Sequence, residues 1–280
     1  MNNLKMFCLS LYDEHLENLK KINYIPVGLG TRYFSKDWMR DNNGKNISFK
    51  NPFYGEHTFH YWLWKNYLDD LPKNNWIGFC AYRRYWANNN QLCHNDLNKI
   101  VNNNNFKDLI LRKPDKIWKD FETILVEKVP LGKIKFMKAL KNGGLNNLIL
   151  NFNNFFKKKT SIKFHFDIFH GFKKIDKAIN LLEKKEKDDF RSFLNNNHEF
   201  SRENMFICNS KTLMKNYYKS IFKWLHNCED IFGFNLKNWN EIRIYGFLAE
   251  RYLPYWFNKY SRCKEWPFFF FDTHKNRLKI

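Results

Sequence analysis

The chain has 280 residues, of which 44% are hydrophobic and 19% aromatic, enough apolar surface to offset chain entropy and so to exclude an intrinsically disordered protein; one large domain is expected. The formal net charge of +20 does not by itself make a nucleic-acid binder, because 37 of the 48 basic residues are Lys and only 11 are Arg, in a chain crowded with Asn and Phe as AT-rich codons produce. What this leaves is a basic surface suited to anionic lipid headgroups, phosphorylated ligands or nucleic acid.

The first residues carry no charged region followed by an apolar stretch, and no apolar run approaches the roughly 20 residues needed to span a bilayer. A cytoplasmic protein is expected, resting at most peripherally on the inner face of the membrane. Six cysteines are scattered without a C-x-x-C pair, which predicts reduced thiols and no structural metal.

Lys5 to Leu11 read as a buried first strand, and Asp13 to Lys21 as a helix. YIPVGLGTRYFS follows, with Gly28 and Gly30 punctuating a loop, and then the turn formers of DNNGKNISFKN. A polar loop of that length inside a compact domain predicts a binding loop. Asn51 followed by Pro52 predicts a helix start, running to about Tyr67, with Glu56, Phe59, His60 and Leu63 on one face.

NNWIGFCAY predicts a short buried strand, with Arg83 and Arg84 emerging at its C-terminal end, where open α/β sheets bind ligands. DLILRKP predicts another strand, ending at Pro114. A Lys- and Asn-rich stretch at about 130–162 reads as a basic insertion, either a surface excursion without a partner or one whose spots LILNF and FF form an amphipathic segment touching a partner or a membrane. Helices are expected around FHFDIFHGF and from Ile175 to Leu194. ENMFICNS predicts a strand, Lys211 to His226 an amphipathic helix, and EIRIYGFLAERYLPYWF a last helix ended or kinked near Pro254. On that helix Arg243, Phe247, Glu250 and Arg251 share a face.

Six ordered segments carry a resemblance: Tyr24 to Gly30, Asp41 to Asn66, Trp76 to Trp86, the surroundings of His170, Glu203 to Ser210 and Arg243 to Leu253. Together they resemble a family of bacterial glycosyltransferases of capsule and exopolysaccharide clusters, long catalogued as a domain of unknown function. Two departures stand out. Ala81 occupies the position before Tyr-Arg-Arg where the family usually has His, and the insertion is longer and more basic than the family's. The resemblance implies a single α/β domain with a Rossmann-like, GT-A-type core and a helical C-terminal part. It also implies transfer of a sugar, galactofuranose or another hexose, from a nucleotide-sugar donor to a glycan or lipid-linked acceptor.

Such a reaction needs cations for the departing diphosphate and, if it inverts, a base for the acceptor hydroxyl. The chain lacks an Asp-x-Asp motif, and its acidic pairs Asp69-Asp70 and Asp188-Asp189 read as exposed helix ends, so Arg83, Arg84 and Arg243 are the expected phosphate clamp. Mn²⁺ or Mg²⁺ remains compatible with this reading. One arginine of the Arg83-Arg84 pair could instead form a structural salt bridge.

Asp41, Glu56 and Glu250 are the candidate bases, since desolvation raises a carboxylate's pKa. Against that, Glu250 could pair with Arg243 or Arg251, and Glu56 could cap the Asp41 to Asn51 loop. His170, among Phe residues, is either a satisfied structural group or a ligand for a phosphate or sugar hydroxyl, and Asn46 and Asn204 are candidates for sugar hydroxyls. Two other readings stay open: a basic protein tracking a single nucleic-acid strand, and a non-catalytic partner in glycan assembly. Against the first, the aromatics fall on apolar helix faces instead of interleaving with the basic runs, so no nucleic-acid partner is expected.

Overall fold

In the computed structural model the described residues are 3–73, 75–88, 91–137, 140, 152–155, 158–237 and 239–272. Apolar runs that are buried on both faces form the middle of a mixed sheet. Its strands are β1 (Leu4–Ser10), β2 (Ile25–Gly28), β3 (Met39–Arg40), β4 (Trp76–Ala81), β5 (Arg84–Trp86) and β6 (Thr123–Val126). A separate ribbon pairs β7 (Val129–Pro130) with β8 (Glu199–Phe200), and the sheet resumes with β9 (Phe206–Cys208), β10 (Cys263–Trp266) and β11 (Phe268–Phe270).

The order across the sheet is β10-β6-β9-β4-β1-β2-β3. β1 lies parallel to both β2 and β4, whereas β9 runs antiparallel between β4 and β6, and β5 turns back antiparallel to β4. This is a mixed α/β core of the GT-A-like kind, with the long helices Lys211–Phe232 and Ile244–Tyr260 supplying the helical C-terminal part.

The residues group into two compact units. One comprises Met1–Glu127, Glu203–Tyr218 and Phe257–Ile280, and the other Lys128–Arg202 and Lys219–Trp256. The first contains the sheet. Its core is aromatic on both sides: Phe7, Phe59, Phe79, Phe206, Tyr217 and Phe257 pack as a chain of ring contacts, and Trp118 sits edge-on to Trp76 and Trp266 at 5.2 and 5.0 Å. His60 is buried in this cluster, its Nδ1 3.1 Å from the Tyr218 hydroxyl, and burial holds its pKa well below the usual value, so it packs as a neutral ring. The second unit is helical around Phe190, Trp224, Tyr252 and Tyr255, with the Trp224 indole N–H donating to the Ala178 carbonyl.

Several expectations are corrected. Within YIPVGLG, Ile25–Gly28 are the strand β2 and not loop; Pro26 and Gly28 disguise it. The expected Asn51–Tyr67 helix breaks at Gly55, which takes φ 58° and ψ −131°, leaving Asn51–Tyr54 and His57–Asn66. DLILRKP is not a strand: Phe106–Leu109 form a helical turn and Ile110 makes one bridge to Ala87. The Ile175–Leu194 helix is two, Lys174–Ile179 and Lys184–Asn196, and the last helix continues through Pro254 to Tyr260. Of the insertion, residues 138–139, 141–151 and 156–157, with most of LILNF and Lys157, lie outside the described residues.

The loop after β2 is held from inside. A Cβ on Gly28 would meet the Phe34 ring at 2.6 Å, and Gly30 sits at φ +73°, so both positions exclude side chains that other residues would bring. The Gly30 N–H donates to the Asp41 carboxylate at 2.8 Å, and the Arg40 guanidinium donates to the carbonyls of Gly28, Gly30 and Arg32. Asp41 is 0% exposed; desolvation raises its pKa, opposed by the Thr58 hydroxyl, the Gly30 N–H and the Arg40 charge.

Because the folded chain then holds the Asp41 proton more tightly than the unfolded chain, stability falls as pH rises from the ordinary carboxylate range, near 4, through the raised native value. Asn at this position can still accept from Gly30 but carries no charge. The melting temperature of Asp41→Asn relative to wild type should therefore rise by a few degrees between about pH 4 and pH 7. A pH-independent difference would contradict this account of Asp41.

Candidate functional site

Strands β2, β1 and β4 run in the same direction, with Ser10 paired to Gly28 and Leu9 to Ala81, so their carboxyl ends open at one edge. β9 enters from that edge. Its antiparallel register with β4 pairs Ile77 with Cys208 and Gly78 with Ile207, and in the turn before it Glu203, next to Asn204, pairs with Arg84. Polar loops gather here because the strands themselves are buried and apolar, and ligands of open α/β sheets bind outside such carboxyl ends.

The turn after β1 is knotted by Ser10, whose hydroxyl donates to the Tyr12 carbonyl, accepts the Tyr12 N–H, and lies 3.0 Å from His15 Nδ1. Tyr12 is thereby presented with 41% of its surface exposed, edge-on to the buried Tyr82 ring at 5.4 Å. Two cations flank these rings. The Arg32 guanidinium lies 5.6 Å from the Tyr12 centroid and donates to the Leu11 carbonyl; that of Arg83 lies 4.6 Å from the Tyr82 centroid and donates to its hydroxyl. Burial pushes the Tyr82 phenol up, so it stays neutral. Arg84 differs from its neighbour: it forms an ion pair with Glu203 and lies over the Phe270 ring.

Arg83, Arg84 and Asn204 are thus brought together at the carboxyl edge. Asp41 and Glu56 belong to the adjoining loop cluster: Asp41 is buried on Gly30, and Glu56 is half-buried just after Gly55, whose carbonyl accepts from Asn51 and Thr58. Asn46 knots its own loop, accepting from the Ser48 N–H and hydroxyl and donating to the Gly44 carbonyl.

The remaining three candidates, His170, Arg243 and Glu250, belong to the second unit. Arg251, 1% exposed, lies over the Phe166 and Phe200 rings, pairs with Glu250, and donates to the Phe247 carbonyl. Its Nη2 also meets His170 Nε2 at 3.2 Å, so that nitrogen accepts and the His170 ring is neutral. Burial lowers the Arg251 pKa and Glu250 restores part of it. Arg243 is half-buried, its carbonyl accepting from Phe247.

The residues missed by sequence reasoning are Tyr12, His15, Arg32, Tyr82 and Glu203. Tyr82 adjoins the arginine pair and Glu203 adjoins Asn204, so proximity in the chain was the available signal. Among the described residues no group of three or more His, Cys, Asp or Glu side chains could hold a metal ion, and no helix is long and apolar enough to cross a membrane.

Among curated proteins none matches the chain. Among solved structures it is similar to WbbM, a bifunctional glycosyltransferase in its apo form, with a TM-score of 0.59 at 20% identity over 96% of this chain. The chain spans 45% of WbbM, so the likeness is one of fold between this chain and a part of that protein. Residues 10–261 match the model of one family, and by that match the chain belongs to the family described as Domain of unknown function (DUF4422).

Proposed function

We propose that the chain is a glycosyltransferase that moves a sugar, galactofuranose or another hexose, from a nucleotide-diphosphate donor to a growing capsular, exopolysaccharide or lipopolysaccharide glycan. The observation that carries this reading is the group of Tyr12, Tyr82, Arg32 and Arg83 at the carboxyl edge of β1 and β4. Aromatic faces suit a nucleobase, and guanidinium groups suit diphosphate oxygens, which they bind in bidentate fashion. The fold shared with WbbM supports the same reading.

A departing nucleoside diphosphate gains negative charge as the glycosidic bond breaks, and cations already in place stabilise it without reorganisation. Arg83 is the residue proposed for this task, assisted by Arg32. Glu56, half-buried on the first turn after Gly55, is the proposed base for the acceptor hydroxyl; Asp41 fixes Gly30 and Glu250 neutralises Arg251. The acceptor is taken to be a glycan or a lipid-linked glycan. The basic surface suits work at an anionic membrane, on its cytoplasmic side.

Thermal-shift measurements with UDP, GDP, ADP and CDP, each with and without Mn²⁺ or Mg²⁺, test the donor reading. At least one nucleotide at about 100 times its Kd should stabilise the protein by about 2.7 kcal/mol, a rise of a few degrees in Tm. No shift with any of them would overturn it, and dependence on the divalent ion would show whether the cationic clamp needs one.

The carboxylates separate by a second measurement. Glu56→Gln should lower transfer at saturating substrates by about 10² to 10⁴ with little change in Tm. Glu250→Gln should instead strip the buried Arg251 of its counter-ion and destabilise the fold by about 3 kcal/mol, with residual activity following the folded fraction. A Glu56→Gln variant of undiminished turnover would remove Glu56 as the base.

A further inference from the structure

Adjacent arginines at one edge repel each other, and only one of the two here is neutralised. Glu203 pairs with Arg84; the Glu203 side chain is 9% exposed and that of Arg84 34%. The guanidinium of Arg83 instead meets the neutral Tyr82 hydroxyl and ring, and among the described residues no carboxylate pairs with it. The two residues also differ in backbone setting: Arg84 is the first residue of β5, paired to Phe270 of β11, whereas Arg83 lies in the turn before it and accepts the Phe271 N–H.

Glu203 is held in an unusual way. It takes φ +91° and Asn204 takes φ +50°, two successive residues in the region that L side chains seldom adopt, immediately before β9. The Arg84–Glu203 ion pair puts this turn beside the Tyr82-Arg83-Arg84 turn. A glycine would adopt these angles without strain, yet a carboxylate stands at the first position and is used in an ion pair.

Resting on the donor reading above, we propose that Glu203 is a positioning residue that divides the Arg83-Arg84 pair: it neutralises and anchors Arg84 and leaves Arg83 as the cation for the diphosphate. The division serves release as well as binding. Two unpaired guanidinium groups would hold the product diphosphate more tightly than one, and the ion pair keeps Arg84 from joining Arg83 on the anion.

Calorimetry on the full chain, with inorganic pyrophosphate and with UDP, GDP and ADP at fixed ionic strength, tests this. Arg83→Ala should weaken binding by roughly tenfold or more, and Arg84→Ala by less than about threefold, because its charge is already compensated. Glu203→Gln should tighten pyrophosphate by about three- to tenfold, the effect of one added cation, and the gain should vanish in the Arg84→Ala/Glu203→Gln double variant. A merely structural Glu203 would lower Tm without tightening anion binding.

The inference is overturned if Arg84→Ala costs as much as Arg83→Ala, or if Glu203→Gln changes binding equally in both backgrounds. Should Glu203→Gln fail to fold, Glu203→Asp, which keeps the charge, together with Arg84→Ala decides: near wild-type pyrophosphate affinity in both supports the division, and a tenfold loss in either overturns it. A wild type that binds pyrophosphate but no nucleoside diphosphate overturns the donor reading alone, since the pyrophosphate arm tests the arginine division separately.

Discussion

The pairing of β1 with β2 on one side and β4 on the other is the constraint from which the rest of the first unit follows. All three strands are parallel, and β1 residues from Met6 to Ser10 and the whole of β4 are buried, so the strands themselves carry no chemistry. Parallel pairing sends each connection back across the sheet, which aligns the carboxyl ends and gathers the loops after Ser10, Gly28 and Ala81 at one edge. The positions of Tyr12, Gly30 and Arg83 are therefore consequences of register before they are matters of side-chain chemistry.

Burial then sorts the charged groups by the company they keep. Asp41 and Arg251 lie inside, each compensated: the first by the Gly30 N–H and the Arg40 charge, the second by Glu250 and the lone pair of His170. A buried ion that lost its partner would be costly, which ties these residues to their neighbours. Arg83 stands apart, stacked on a neutral ring at the sheet edge, with no carboxylate paired to it among the described residues. The lysine excess of the chain does not create this distinction; a single tyrosine and a single glutamate do.

What was legible in the sequence follows from local signals. The β1 and β4 runs were readable because a fully buried strand is continuously apolar, and the helix Ile244–Tyr260 because its face repeats at helical spacing. β2 was hidden by Pro26 and Gly28, which read as loop formers, although Pro26 pairs with Cys8 in an inner position of the ladder. The break at Gly55 was missed because an isolated glycine inside a helical pattern is tolerated and does not by itself announce a helix end. Of the site, the arginine doublet at the end of a strand could be read, but not which member is held structurally. That depends on Glu203, 119 residues further along the chain than Arg84, and on positive φ angles that no residue-type pattern announces at Glu and Asn.

The placement of β9 also bears on how the sheet is made. β4 and β6 do not pair with each other; each pairs with β9, and the other side of β6 is covered by β10, from residues beyond 262. During synthesis, the first 127 residues can join β1 to β4 but must then wait with one side of β4 and both sides of β6 unpaired until residues 206–208 and 263–266 emerge. At elongation rates of about 5 to 20 residues per second that wait lasts several seconds, far longer than hydrophobic collapse. The nascent chain thus carries apolar, hydrogen-bond-hungry strands through a window in which they can pair with another copy before their own partners exist.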